Sequence, residues 1–333
     1  MSLMEGPVAI SPLGVDREAL GRVVAVINGK GGVLKTSMAT NVAGTLAASG
    51  MRVLIIDLDV SGNAKLDLGL VGEDSGDDLG KGLVDAVWTG SPLPVVPEVR
   101  QGLDFVYGGR ALEMLGQLAR STSAEDLPTG SVAGEFTQRL AAVAEDYDLV
   151  LLDCPPGNGE LQDMALAAAA WVLIPTKTDQ ASWDGLLGVG PRVKRARRDN
   201  PALRYLGVVV TAHNPSATRV LRNTQQRLQE VGETVPLLEA YVRHSETAAH
   251  DCRSRGQLAH ELARDVVTGR GERLRALSRR RRRDGGTSNV IELPTALSGS
   301  ADSLSGDYRR LAKEICDRIT AAETAGATQS GHA

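Results

Sequence analysis

Short apolar runs in this chain alternate with longer stretches whose apolar residues recur every three or four positions. Val23-Val-Ala-Val-Ile27, Val53-Leu-Ile-Ile56, Leu149-Val-Leu-Leu152 and Val208-Val-Val210 are strand-sized and give way to polar or acidic residues. The pattern predicts strands near 23–28, 53–57, 103–107, 148–152, 171–175, 204–211 and 235–238. Helices are predicted over 36–49, 81–88, 111–119, 132–145, 160–169, 182–198, 216–230, 243–251 and 307–321. Such alternation implies an α/β fold, a mostly parallel twisted sheet with helices on both faces. Residues 72–80 and 121–130 read as loops. Residues 1–21 contain Gly, Pro and Ser and are expected to be flexible. A single domain is expected over 22–320, with a flexible Arg-rich insertion at about 264–306 and a flexible tail over 321–333. No internal repeat is evident.

Composition fits one sizeable domain. The chain has 333 residues, 42% of them hydrophobic and 3% aromatic, so aliphatic side chains must fill the core. It holds no apolar run of transmembrane length and no signal peptide. Cys154, Cys252 and Cys316 are odd in number and far apart, which points to a reducing compartment without a disulfide framework.

The most informative stretch is Gly29-Lys30-Gly31-Gly32-Val33-Leu34-Lys35-Thr36-Ser37. Its spacing is that of a phosphate loop, set between a predicted strand and a predicted helix. Backbone N–H groups of such a turn cradle phosphate oxygens, and the helix adds the positive end of its dipole. Lys35 would reach the β- and γ-phosphates and the Thr36 hydroxyl would ligate Mg²⁺. One position departs from the pattern: Leu34 stands where a glycine is usual. If that backbone needs φ > 0, a leucine costs about 1 kcal/mol or more. Either the loop adjusts and nucleotide binds with slow hydrolysis, or binding is weakened.

The second lysine, Lys30, directly after the first glycine, resembles the deviant Walker A motif of the ParA/MinD-type ATPases. Three further segments agree. Val53 to Asp59 is an apolar run that delivers Asp57 and Asp59 to the carboxyl edge of a sheet, and the following Gly62-Asn63 matches the family while Val60-Ser61 departs from it. Asp148-Leu-Val-Leu-Leu-Asp153 resembles a Walker B strand, and Pro155-Pro156-Gly157 a second switch. Val208 to Asn214 resembles the strand whose terminal side chain reads adenine, although an Asn-Pro turn explains Asn214-Pro215 equally well. The resemblance covers roughly 22–262 and 307–320.

The resemblance implies cofactors, roles and partners. ATP and Mg²⁺ would be bound by residues 29–37 and Asn214, with Thr36, Asp57 and Asp153 at the metal. Lys30, Lys35 and Asp59 would be catalytic: Asp59 positions the attacking water and Lys30 crosses to the partner's nucleotide in an ATP-dependent homodimer. A ParB-like centromere-binding protein would stimulate weak hydrolysis. No metal-ligand cysteine spacing is present, which argues against the related nitrogenase iron protein.

Charge is distributed unevenly. Residues 1–190 carry 12 Lys and Arg against 25 Asp and Glu, whereas 191–333 carry 25 against 16. Arg192, Lys194, Arg195, Arg197, Arg198, Arg219, Arg222, Arg243, Arg253 and Arg255 are candidates for contacting non-specific DNA, and Arg279 to Arg283 is an unbroken run. Solvated helix faces are the plain alternative. The resulting expectation is a cytoplasmic, nucleoid-associated ParA-like ATPase for DNA partition. A MinD-like membrane-positioning ATPase and a non-hydrolysing DNA-coating protein are the alternatives. The sequence after Ile319 offers no large apolar face for a membrane.

Overall fold

The computed structural model describes residue 15 and residues 17–121, 126–214, 218–230, 235–268 and 300–330. Seven strands form one sheet: β1 (Val23–Val26), β2 (Val53–Asp57), β3 (Val96–Arg100), β4 (Leu103–Val106), β5 (Leu149–Asp153), β6 (Trp171–Thr176) and β7 (Arg204–Val210). Their spatial order is β3-β4-β2-β5-β1-β6-β7, parallel throughout except for the antiparallel pair β3–β4. The buried parallel strands are the ones legible as apolar runs, because both of their faces are covered. Strand alternation divides the core in two. Val23, Ala25, Ile27, Leu54, Ile56, Val150 and Leu152 face one cluster, while Val24, Val26, Val53, Ile55, Leu149 and Leu151 face the other.

The first cluster is covered by α3 (Lys81–Thr89), α4 (Glu113–Ala119), α5 (Val132–Ala144), α6 (Gly159–Ala168), α7 (Gln180–Leu187) and α8 (Val189–Ala196). The second is covered by α1 (Lys35–Ala47), the short α2 (Ala64–Asp67), α10 (Glu246–Arg255) and α12 (Ala301–Ser330). Two more helices complete the described chain: α9 (Thr218–Glu230) and α11, over 259–268. Side-chain caps start three of them: Ser131 accepts from Gly134 N–H, Asn158 from Leu161 N–H and Asp179 from Ser182 N–H.

Several boundaries differ from the sequence reading. The predicted helix over 182–198 is two helices that meet at Gly188. Residues 235–238 form only a bridge, Leu237 to Val208, in place of a strand. The strand β3 escaped the pattern because it is a sheet edge: its residues are part-exposed, Pro97 interrupts it and Glu98 has φ 54°. The segment expected to be flexible up to residue 21 is packed at its end. Leu20 lies in the core, and Arg17 donates to the Ala167 carbonyl. The rest of that segment, apart from Val15, lies outside the described residues. The region read as an insertion at 264–306 begins and ends in helix: α11 runs to 268 and α12 starts at Ala301. Residues 269–299, including the five-arginine run, lie outside the described residues. The tail expected over 321–333 continues α12 as far as Ser330.

Candidate functional site

The carboxyl ends of β1, β2 and β5 meet at one edge, and the loop Gly29–Leu34 lies across it before α1 begins. Asn28 is buried and fixes the start of that loop. Its amide donates to the Pro175 carbonyl at 2.8 Å, and its Oδ1 accepts from Lys30 N–H at 2.8 Å. Gly29 N–H reaches the Gly185 carbonyl of α7 at 3.3 Å. The approach is so close that a Cβ on Gly185 would sit 2.8 Å from Lys30 N and Cβ. At the far end of the loop, the Thr211 hydroxyl donates to the Val33 carbonyl at 3.1 Å. Asn28, Gly185 and Thr211 were not singled out from the sequence. Nothing in their local spacing signals a contact that only the sheet order creates.

Lys35 is buried, and its ammonium donates to the Lys30 carbonyl at 3.0 Å, spanning the loop. Burial pulls its pKa down, and Asp153, Cys154 and Asp59 pull it back up. The side chain of Lys30 itself is exposed at the loop's rim. Gly31 lies under the Pro156 ring, 3.8 Å from where a Cβ would be. Gly32 takes φ 74° with open space around it.

Leu34 takes φ 65° and ψ 29°, the left-handed conformation, at the cap position of α1. The cost foreseen from the sequence is therefore present in the backbone. Its side chain does not fill the loop. It is half-buried against the second apolar cluster and lines an adjoining cavity of about 560 Å³.

Asp57 and Asp153 are in register on β2 and β5 and both are fully buried. Asp57 accepts from Asp59 N–H at 2.9 Å and Ala64 N–H at 3.1 Å, so it holds the turn that carries Asp59. Burial pushes Asp57 up to about 7 against the pull of those two donors. Burial and the neighbouring Asp57 push Asp153 well above the usual carboxylate range, while Thr36 beside it favours the ionised form. Neither Asp153 oxygen has a hydrogen-bond partner at bonding distance among the described residues. A buried carboxylate with both oxygens free, next to a hydroxyl, is a donor set suited to a hard cation. Among the described residues no three His, Cys, Asp or Glu side chains converge as a metal cluster. A cation that takes most of its ligands from phosphates and water does not need one. Asp59 accepts from both the Ser61 N–H (2.8 Å) and hydroxyl (2.6 Å).

Residues 29–37, Asp57, Asp59 and Asp153 are thus gathered at one edge. Asn214 is exposed and is not among the residues lining the cavity beside the loop. From that strand end the cavity is lined by Ala212 instead, with Arg243, His244 and Ser245 of the adjoining segment.

The basic candidates separate into two groups. Arg243 makes a two-pronged bond to the fully buried Asp307, at 2.6 and 2.8 Å. Arg253 pairs with Asp67 at 3.1 Å, and Arg192 and Arg195 share Asp163. Arg197 bonds the Leu203 carbonyl and covers the Tyr205 ring. These five are engaged within the chain. Lys194, Arg198, Arg219, Arg222 and Arg255 are exposed with no ion pair among the described residues. No described helix is long and apolar enough to cross a membrane.

Known proteins resemble this chain in sequence and in fold. A family model described as an AAA domain (AAA_31) matches residues 21–205. The chromosome-partitioning ATPase Soj of Thermus thermophilus is 35% identical over 221 residues, covering 64% of this chain and 78% of Soj. Soj of Treponema pallidum is 28% identical over 267 residues, covering 76% of this chain and all of that protein. Among solved structures, an ATP complex of Cyanothece McdA superposes with a TM-score of 0.60 at 18% identity, covering 72% of this chain and 90% of that one. Mycobacterium smegmatis cobyrinic acid a,c-diamide synthase, solved with ADP and magnesium, gives 0.56 at 24%, covering 71% and 92%. The structural likenesses show a shared fold.

Proposed function

The chain belongs to the ParA/MinD-type ATPases, on their ParA/Soj side, and from that premise we propose that it partitions DNA through a nucleotide-driven cycle of dimerisation. ATP with Mg²⁺ is the substrate this site suits. Backbone N–H groups of 31–37 and the Lys35 ammonium would hold the phosphates, and Thr36 and Asp153 would hold the metal. Mg²⁺ supplies neutralisation of the charge that develops on the transferred phosphoryl group. Asp57 keeps the turn 58–64 in place, and Asp59 on that turn orients the attacking water. Lys30, exposed at the rim, is free to reach a second protomer's nucleotide. Dimerisation would join two surfaces bearing Lys194, Arg198, Arg219, Arg222 and Arg255, enough unpaired charge for non-specific DNA. A ParB-like partner would then stimulate hydrolysis and release the dimer. On this reading the protein is cytoplasmic and nucleoid-associated.

The observation that carries the proposal is the buried Asp153 carboxylate, beside Thr36 and Lys35, whose two oxygens have no hydrogen-bond partner at bonding distance among the described residues. The test is retention of a DNA duplex of arbitrary sequence at rising salt, with ATP, ADP or no nucleotide. Binding that requires ATP and falls steeply with salt is expected. Binding indifferent to nucleotide contradicts the cycle.

A further inference from the structure

Leu34 occupies two environments at once. Its backbone closes the phosphate loop and caps α1, with its carbonyl accepting from Met38 N–H at 2.9 Å. Its side chain lines the cavity on the other side of the loop's end, together with Ala212, Ala249, Cys252, Leu304 and Tyr308. Ser37, on the first turn of α1, lines the same cavity. Lys35, Thr36, Asp57, Asp59 and Asp153 lie outside that lining. The cavity also carries Lys177, Arg243, Glu246 and Arg253, so its walls mix charged and apolar side chains, and Leu34 supplies an aliphatic surface where the cavity adjoins the phosphate loop.

We propose that Leu34 is a specificity-determining residue: it forms an apolar wall against which the nucleoside half of the bound nucleotide rests. This rests on the nucleotide-binding reading given above. A base and its sugar present apolar faces, and burying them against an aliphatic side chain is favourable in proportion to the area covered. A phosphate chain presents none. Leu34 thus makes the site distinguish a nucleoside triphosphate from a bare polyphosphate, a distinction that backbone N–H groups and Lys35 cannot make. The left-handed backbone is a cost that persists only where the surroundings fix it. The packing of the Leu34 side chain against the cluster shared by α1 and α12 supplies that constraint.

The experiment is calorimetric titration of the full chain with ATP and, separately, with tripolyphosphate, both with Mg²⁺. Two variants accompany the native protein. Leu34→Ala keeps a Cβ and the backbone cost but removes the wall. Leu34→Asn removes the wall with a residue that adopts the left-handed conformation readily, so it keeps the test open if the alanine variant does not fold. Both variants are expected to bind ATP about tenfold more weakly and tripolyphosphate within about twofold of native. Equal losses for the two ligands, no loss for either, or tighter ATP binding by the variants overturns the role of Leu34. A native chain that binds tripolyphosphate but not ATP overturns it too. A native chain that binds neither contradicts the nucleotide-binding reading itself, so the two failures are distinct.

Discussion

Asp57 and Asp153 face each other in register across β2 and β5, both fully buried, yet among the described residues only Asp57 has donors at bonding distance from its oxygens. Two adjacent carboxylates without a cation cannot both ionise cheaply. Asp57 moves from 3.8 in the unfolded chain to about 7 when folded, and Asp153 moves in the same direction. Across that window the folded state holds more protons than the unfolded state. Its stability therefore falls as pH rises from about 4 to about 7.

Asp153→Asn removes the charge that lacks partners. In the ligand-free protein it is expected to raise stability at pH 8 by on the order of 1–2 kcal/mol and to flatten the decline between pH 5 and pH 8. Asp57→Asn also removes a buried charge but is expected to gain less, because Asp57, unlike Asp153, serves as an acceptor. It leaves one of the Asp59 and Ala64 N–H groups without its acceptor, which costs about 1–2 kcal/mol and offsets the gain. Thermal melts across pH check both expectations. A variant at Asp153 that melts lower than the native protein at pH 8 would falsify the charge argument.

At Leu34 the usual order of small residues is expected to invert. Leu34→Ala loses the packing and keeps the left-handed backbone, so it is destabilised by about 1 kcal/mol or more. Leu34→Gly loses the same packing but relieves the backbone, and should be more stable than the alanine variant by about 1 kcal/mol. Chemical denaturation of the two variants side by side decides it. Alanine at or above glycine would show that the φ of 65° carries no cost.

Gly185 is required by contact rather than by its own backbone. A methyl group there meets Lys30 N and Cβ at 2.8 Å and the Asn28 amide oxygen still closer. Gly185→Ala is expected to cost about 2 kcal/mol and to weaken nucleotide binding, because α7 must withdraw from the loop. An alanine variant that melts and binds nucleotide like the native protein would mean that α7 is free to move aside.

The arginines should divide by what they touch. Arg243→Ala strands the buried Asp307 carboxylate and is expected to destabilise the fold by about 3 kcal/mol. Arg310 also reaches Asp307 and softens that loss. Arg222→Ala touches no acid among the described residues and should leave the melt within about 0.5 kcal/mol. The same change should lower the slope of DNA affinity against salt by about one. An Arg222 variant with native DNA affinity and slope would remove α9 from the DNA surface.

The sequence made the central sheet legible because parallel strands covered on both faces read as unbroken apolar runs, as in Leu149 to Leu152. It made the phosphate loop legible because that chemistry fixes residue types at fixed spacing. The cost at Leu34 was also readable, since the loop demands a left-handed backbone there whatever follows. What escaped is tertiary. The partners of Arg243 and Arg253, Asp307 and Asp67, are far along the chain. No count of charge tells an arginine held by a buried acid from one left for DNA. Asn28 and Gly185 escaped for the same reason: their importance is a contact between a loop and α7. The last helix was underestimated at both ends because its outer turns are rich in small and polar residues, although Ala301 and Leu304 of the first turn are buried in the fold.

The most direct measurement of the account is the mass of the protein by sedimentation with ATP or ADP and Mg²⁺, for the native chain, Asp59→Ala and Lys30→Ala. The account predicts that Asp59→Ala, unable to hydrolyse, is a dimer in ATP and a monomer in ADP, while Lys30→Ala stays monomeric in both. The same mass for all three proteins in every nucleotide state would contradict it.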